Sequence, residues 1–138
     1  MMLRLVAADE ADLAIISAQM QDAVMLREDI AFDAKRHRFS LVANRFAWDA
    51  LPTKQRRRAG LHFDDVEAVQ SHGLEKLGAQ NVLSLLTIHF EKDDGLSGSI
   101  IFSFSGAASI RLHVACVNAT LADLGGTWAT ANTPQHQA

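Results

Sequence analysis

The chain has one cysteine, Cys116, so no disulfide can form within it. A strand-rich chain of 138 residues without that staple points to a reducing compartment. No window approaches the roughly 20 consecutive apolar residues that span a bilayer. The opening stretch, MMLRLVAADEADL, turns acidic before it builds the apolar segment of a signal peptide. These absences set the expectation of a cytoplasmic protein that makes no use of a membrane. A content of 49% hydrophobic and 21% charged residues excludes whole-chain disorder.

Chemical signatures are also scarce. No His-x-His or His-x-x-x-His spacing occurs, and His62, His89 and His113 alternate with core-type neighbours, so each is expected on an outward strand face. Cys116 ends an apolar alternation, Ile110-Leu112-Val114-Cys116, which predicts an inert, buried thiol. The pairs Asp64-Asp65 and Asp93-Asp94 sit where bends are expected and lack the spacing of a calcium loop. Ser99, Ser103 and Ser105 form a polar strand face without the elbow of a nucleophilic serine. Gly95, Gly98 and the pair Gly125-Gly126 open no helix, so no phosphate cradle is present. No catalytic residue, metal site or cofactor is expected from this inventory.

What is present is a strong segregation of charge. Residues 1–33 hold two basic and seven acidic side chains, residues 34–58 eight basic and one acidic, and residues 59–138 three basic and eight acidic. The local balances are −5, +7 and −5, within a net charge of −3. Arg38, Arg45, Arg56, Arg57 and Arg58 are therefore the candidate ligand-binding residues, suited to an anion if the fold brings them together. The bland alternative is a solvated, ion-paired corner where the irregular segment AWDALPTKQRRRAG becomes a strand. A pI near 6.0 weighs against nucleic acid as the main partner.

The periodicity predicts one helix over 10–21, with Asp9 as N-cap, Glu10 and Asp12 in the first turn, and Leu13, Ile16 and Met20 at helical spacing. Strands are expected at 3–8, 23–29, 30–33, 37–47, 60–72, 81–92, 98–105 and 109–118, with a hairpin turn at DDGLSG and a bend at Asp64-Asp65. The predicted core comprises Leu5, Leu13, Ile16, Met20, Phe39, Leu41, Leu61, Phe63, Leu86, Ile88, Phe102, Phe104, Leu112 and Val114. Short strands without intervening helices indicate an α+β fold. It is expected as mainly antiparallel sheet, curled into a barrel-like or sandwich form, with one N-terminal amphipathic helix packed on it. Residues 1–138 read as a single domain whose tail, 129–138, is mobile.

The segments LVAADEADLAIISAQMQDAV, HRFSLVANRFAWD, RRRAGLHFDDVEAVQSHGL, VLSLLTIHF and IRLHVACVNATLADLG, in this order, resemble a family of short proteins common in alphaproteobacteria and catalogued as a domain of unknown function (family 2948). The resemblance implies a cytoplasmic one-domain protein of about this size and transfers no activity, ligand or catalytic residue. The functional expectation is a non-catalytic module that contacts itself or another protein, motivated by VLSLLTIHF being apolar on both faces. The alternatives are an enzyme or small binder that uses the arginines on an anionic ligand and, more remotely, a nucleic-acid accessory protein.

Overall fold

The computed structural model describes residues 2–48, 51, 54–78 and 80–129, the last four as backbone only. Residues 130–138, in the expected mobile tail, lie outside the described residues. The chain runs β1 (Arg4–Ala7), α1 (Glu10–Met20), β2 (Val24–Leu26), β3 (Ile30–Asp33), β4 (Arg38–Phe46), β5 (Gln55–Phe63), β6 (Val66–His72), β7 (Val82–Lys92), β8 (Gly98–Phe104), β9 (Ser109–Val114) and β10 (Ala119–Ala129). Every strand pairing is antiparallel, in the order β1-β10-β5-β4-β2-β7-β8-β9-β6, with β3 on the side of β4. Among the described residues β1 and β6 remain unpaired with each other, so the sheet folds into a sandwich-like form and does not close into a barrel.

The core fills the space between its two halves. Phe102 of β8 meets Phe39 of β4 and Phe63 of β5, each with ring centroids 5.5 Å apart. The chain passes between the halves twice. At Asp64-Asp65 the predicted bend takes β5 into β6, with Asp65 at φ 60°. After β9, residues 115–118 return to β10. The two crossings are tied together, Asp64 N–H donating to the Asn118 carbonyl (2.8 Å) and Ala115 N–H to the Asp65 carbonyl (3.0 Å).

Helix α1 begins as expected: the Asp9 side chain accepts from Asp12 N–H at 2.8 Å. It buries Leu13, Ile16 and Met20 against the sheet. Ser17 Oγ accepts from the Ile88 N–H at 2.9 Å. That bond sits beside a bulge in β7, where the register against β8 shifts between Leu85 and Thr87. The bulge corrects one core expectation. Strict alternation would bury Leu86 with Ile88, but the extra residue resets the phase, so Leu83, Leu85 and Ile88 all point inward and Leu86 is 39% exposed. The strand VLSLLTIHF is apolar on both faces all the same, with Val82 and Leu86 exposed on the outer one.

Other departures have similarly local causes. Leu5 is half-buried, because β1 is an edge strand. Cys116 lies beyond the end of β9, where the chain has begun its return, so it is half-buried and Val117 takes the core position. The Arg56–Arg58 triplet is not a loop corner but the start of β5. A further strand, β10, follows the expected last one and inserts between β1 and β5.

Candidate functional site

Strand β4 and strand β5 pair with Asn44 opposite Arg58, Arg45 opposite Arg57 and Phe46 opposite Arg56. Alternation therefore sends Arg45 and Arg57 to the same inner face, two like charges side by side, which is destabilising unless an anion intervenes. Asp123 of β10 is that anion. Arg45, 0% exposed, donates to it through Nε (2.8 Å) and Nη2 (2.9 Å), and Arg57 Nη1 stands 3.5 Å from Oδ2. Arg45 Nη1 also reaches Gln19 Oε1 of α1 at 3.4 Å, and Arg57 Nη2 donates to Gln55 Oε1 at 3.3 Å. Leu3 N–H donates to Asp123 Oδ2 at 2.8 Å, which fastens the start of β1 to the same carboxylate. Burial by itself pushes the Asp123 carboxyl up and is the largest single influence. The hydrogen bonds from Arg45 and Leu3, together with the charges of Arg45 and Arg57, outweigh it and hold the carboxyl below the ordinary range.

The other candidate arginines go elsewhere. Arg38 forms a two-pronged bond to Asp64 (Nε 2.8 Å, Nη2 3.3 Å) beside the Asp64-Asp65 crossing. Arg56 Nη1 donates to the carbonyls of Asp22 (3.4 Å) and Asn44 (3.3 Å), closing over the C-terminal end of α1. Arg58 is exposed on the outer face. The five residues are thus divided among four places, and only Arg45 and Arg57 converge.

Arg58 and Asn44 share an outer cleft of about 270 Å³ with Asp29, Val42 and β2. There the buried Asn44 Oδ1 has no hydrogen-bond partner among the described residues. The histidines face outward and stay apart: His62 Nε2 is 3.7 Å from Asp64, His89 Nε2 3.6 Å from Glu91, and His113 bonds Gln70 at 3.2 Å. Partial burial, then the charge of Arg38, lowers the His62 pKa. No cluster of ligating side chains suited to a metal ion occurs among the described residues.

A more open feature lies at the other end of α1. A cleft of about 460 Å³ is bounded by Val6 to Glu10, by Phe90 and Lys92 of β7, by Leu96 at the hairpin tip, and by Cys116 to Asn118. Its walls are mainly apolar, and two of them stand in water: Leu96 is 78% and Val6 62% exposed. Phe90 reaches this position because Gly98 has no side chain, since a Cβ there would lie 2.7 Å from the ring. The hairpin that presents Leu96 is held by Asp93 N–H to the Ser97 carbonyl (2.9 Å) and Ser97 Oγ to the Asp94 carbonyl (2.7 Å). Cys116 Sγ donates to Asp65 Oδ2 at 3.4 Å; burial first, then this bond, raises its pKa, so at neutral pH it is a thiol and not a nucleophilic thiolate.

The sequence carried faint marks of both features. Asp123 stands two positions from Leu121, itself two from Ala119, so its alternation already placed a carboxylate on the core face. Leu96 is the single large apolar side chain in an otherwise polar turn. Comparison with known proteins identifies one family: a model described as a protein of unknown function, DUF2948, matches residues 3–136. No curated protein and no solved structure matches the chain.

Proposed function

Because the chain belongs to the DUF2948 family, whose own description assigns no function, we propose from its geometry that it is a non-catalytic binding module whose apolar cleft receives apolar side chains of another polypeptide. One observation carries this reading: Leu96 and Val6 are exposed beside a concave, mainly apolar wall with a few polar groups, the setting in which binding sites are usually found. The cleft offers Lys92, Asn118, Asp9 and Glu10 as polar groups to orient what enters.

The test is a nuclear magnetic resonance titration with a panel of short apolar peptides. Binding is expected to shift the amides of Val6, Phe90, Leu96 and Val117 together, and Leu96→Asp is expected to weaken it about tenfold or more. Shifts confined to other surfaces, or affinity indifferent to Leu96→Asp, would overturn the reading.

The outer cleft supports a second reading, in which Arg58 and the amide of Asn44 hold a small anionic ligand with a hydrogen-bond donor. A thermal-shift screen of phosphates, nucleotides and carboxylates is expected to yield a stabilising compound whose effect disappears in Arg58→Ser. A blank screen removes it.

A further inference from the structure

The sheet is notched between β2 and β3. Strand β4 pairs with β2 at Val24–Asn44 and with β3 from Leu41, which faces Ile30. The short turn Arg27–Asp29 joins the two, and the outer cleft of about 270 Å³ opens beside it. Arg58 of β5 stands on one side of this cleft. Asn44 and Val42 of β4 lie in the middle, and Asp29 closes the far side with Val24 and Leu26 of β2.

Three polar groups in this wall have no partner within the fold. Neither Arg58 nor Asp29 joins an ion pair or a side-chain hydrogen bond among the described residues, with each other or elsewhere. Asn44 Oδ1 is buried with no donor to accept from, a state that costs stability. Exposed arginines in other places do find carboxylates: Arg36 meets Asp33, Arg38 meets Asp64 and Arg111 meets Glu91.

We propose that this cleft binds a free α-amino acid with an aliphatic side chain. The inference rests on the reading above that Arg58 and Asn44 hold an anionic ligand, and it names what that anion is attached to. Neighbouring strands stand about 4.8 Å apart, so with β4 between them the backbones carrying Arg58 and Asp29 are roughly 10 Å apart. A cation and an anion facing each other across that span match a molecule whose carboxylate and ammonium share one carbon. Arg58 takes the carboxylate through its fork of N–H donors. The ammonium donates to the Asp29 carboxylate and to Asn44 Oδ1, which supplies the missing donor. The aliphatic group lies over Val24, Val42 and Leu26. A second anionic group would meet Asp29, and a simple cation would meet Arg58. The volume falls below the range of about 300–1,000 Å³ usual for drug-sized ligands, so the occupant is small. Arg58 is exposed and the cleft is open, so a Kd of about 1 mM is expected.

The experiment is a nuclear magnetic resonance titration of the full chain with three probes: leucine, 4-methylpentanoate, which lacks the ammonium, and leucine amide, which lacks the carboxylate. Leucine is expected to shift the amides of Val24, Val42, Asn44 and Arg58 together, and to bind about tenfold more tightly than either analogue. Asp29→Asn, with its melting temperature as the control for folding, is expected to weaken leucine about tenfold and leave 4-methylpentanoate unchanged. Arg58→Ser is expected to abolish the leucine shifts. If 4-methylpentanoate binds as tightly as leucine, or Asp29→Asn leaves leucine unaffected, the amino-acid assignment is overturned while the anion reading stands. If leucine amide matches leucine, or neither leucine nor any carboxylate or phosphate shifts these amides, both fall.

Discussion

Asp123→Ala is expected to lower stability by about 3–5 kcal/mol, the usual cost of removing one member of a buried ion pair. The reason is not the strength of the bonds lost but the state left behind. Arg45 is fully buried and loses both bonds to the carboxylate, while Arg57 stands across the strand from it with the same charge. The change also releases Leu3, which the same carboxylate holds at 2.8 Å. Against a total stability of about 5–15 kcal/mol for a domain, such a loss is large. Urea titration measures it directly. Arg45→Met combined with Asp123→Leu, which removes both charges and keeps the volume, is expected to recover most of the loss. If Asp123→Ala costs less than about 1 kcal/mol, the cluster is not the anchor described above.

The same carboxylate makes stability depend on pH in one direction. Its folded pKa lies below the ordinary value of 3.8, so near that pH the folded state holds fewer protons than the unfolded one. Its stabilisation is complete above that value and is lost as the pH falls through the lower folded value. Asp123→Asn should lose that part of the acid limb while leaving the behaviour at neutral pH flat.

Phe102→Ala carries a comparable cost for a different reason. The ring is fully buried and touches Phe39 and Phe63 across the sandwich and Phe104 along its own strand, with centroids 5.5, 5.5 and 6.4 Å away. Removing it deletes these aromatic contacts between the two halves of the sheet and leaves a cavity, for an expected loss of about 3–5 kcal/mol. Phe102→Leu retains most of the volume and should cost clearly less. Chemical denaturation of both variants separates packing from fold disruption. Equal losses would mean that ring geometry, rather than filled volume, holds the halves together.

Strands β8 and β9 and helix α1 were legible because each keeps one phase from end to end. β7 was legible as a strand but not in its facing, since a bulge between Leu85 and Thr87 leaves no mark in a run of apolar residues. β10 was missed because Asp123, Gly125 and Gly126 interrupt the pattern, and the meaning of Asp123 depends on arginines 78 and 66 positions earlier. The same separation hid the fate of the basic segment. Local charge density marked Arg45 and Arg57, yet only strand pairing could show that they face inward towards a carboxylate while Arg38 and Arg58 face out. The apolar cleft was hidden for a third reason: its walls come from four separate stretches, and no stretch looks unusual alone.

The place of β10 between β1 and β5 bears on how the protein is made. During synthesis β1 has no strand partner among the described residues until residues 119–129 leave the ribosome, and β5 waits with one edge open for the same segment. Assembly of this half of the sheet is therefore deferred until β10 has been made. A ribosome stalled shortly before that point would hold a chain with two unsatisfied strand edges, the kind of species that chaperones bind.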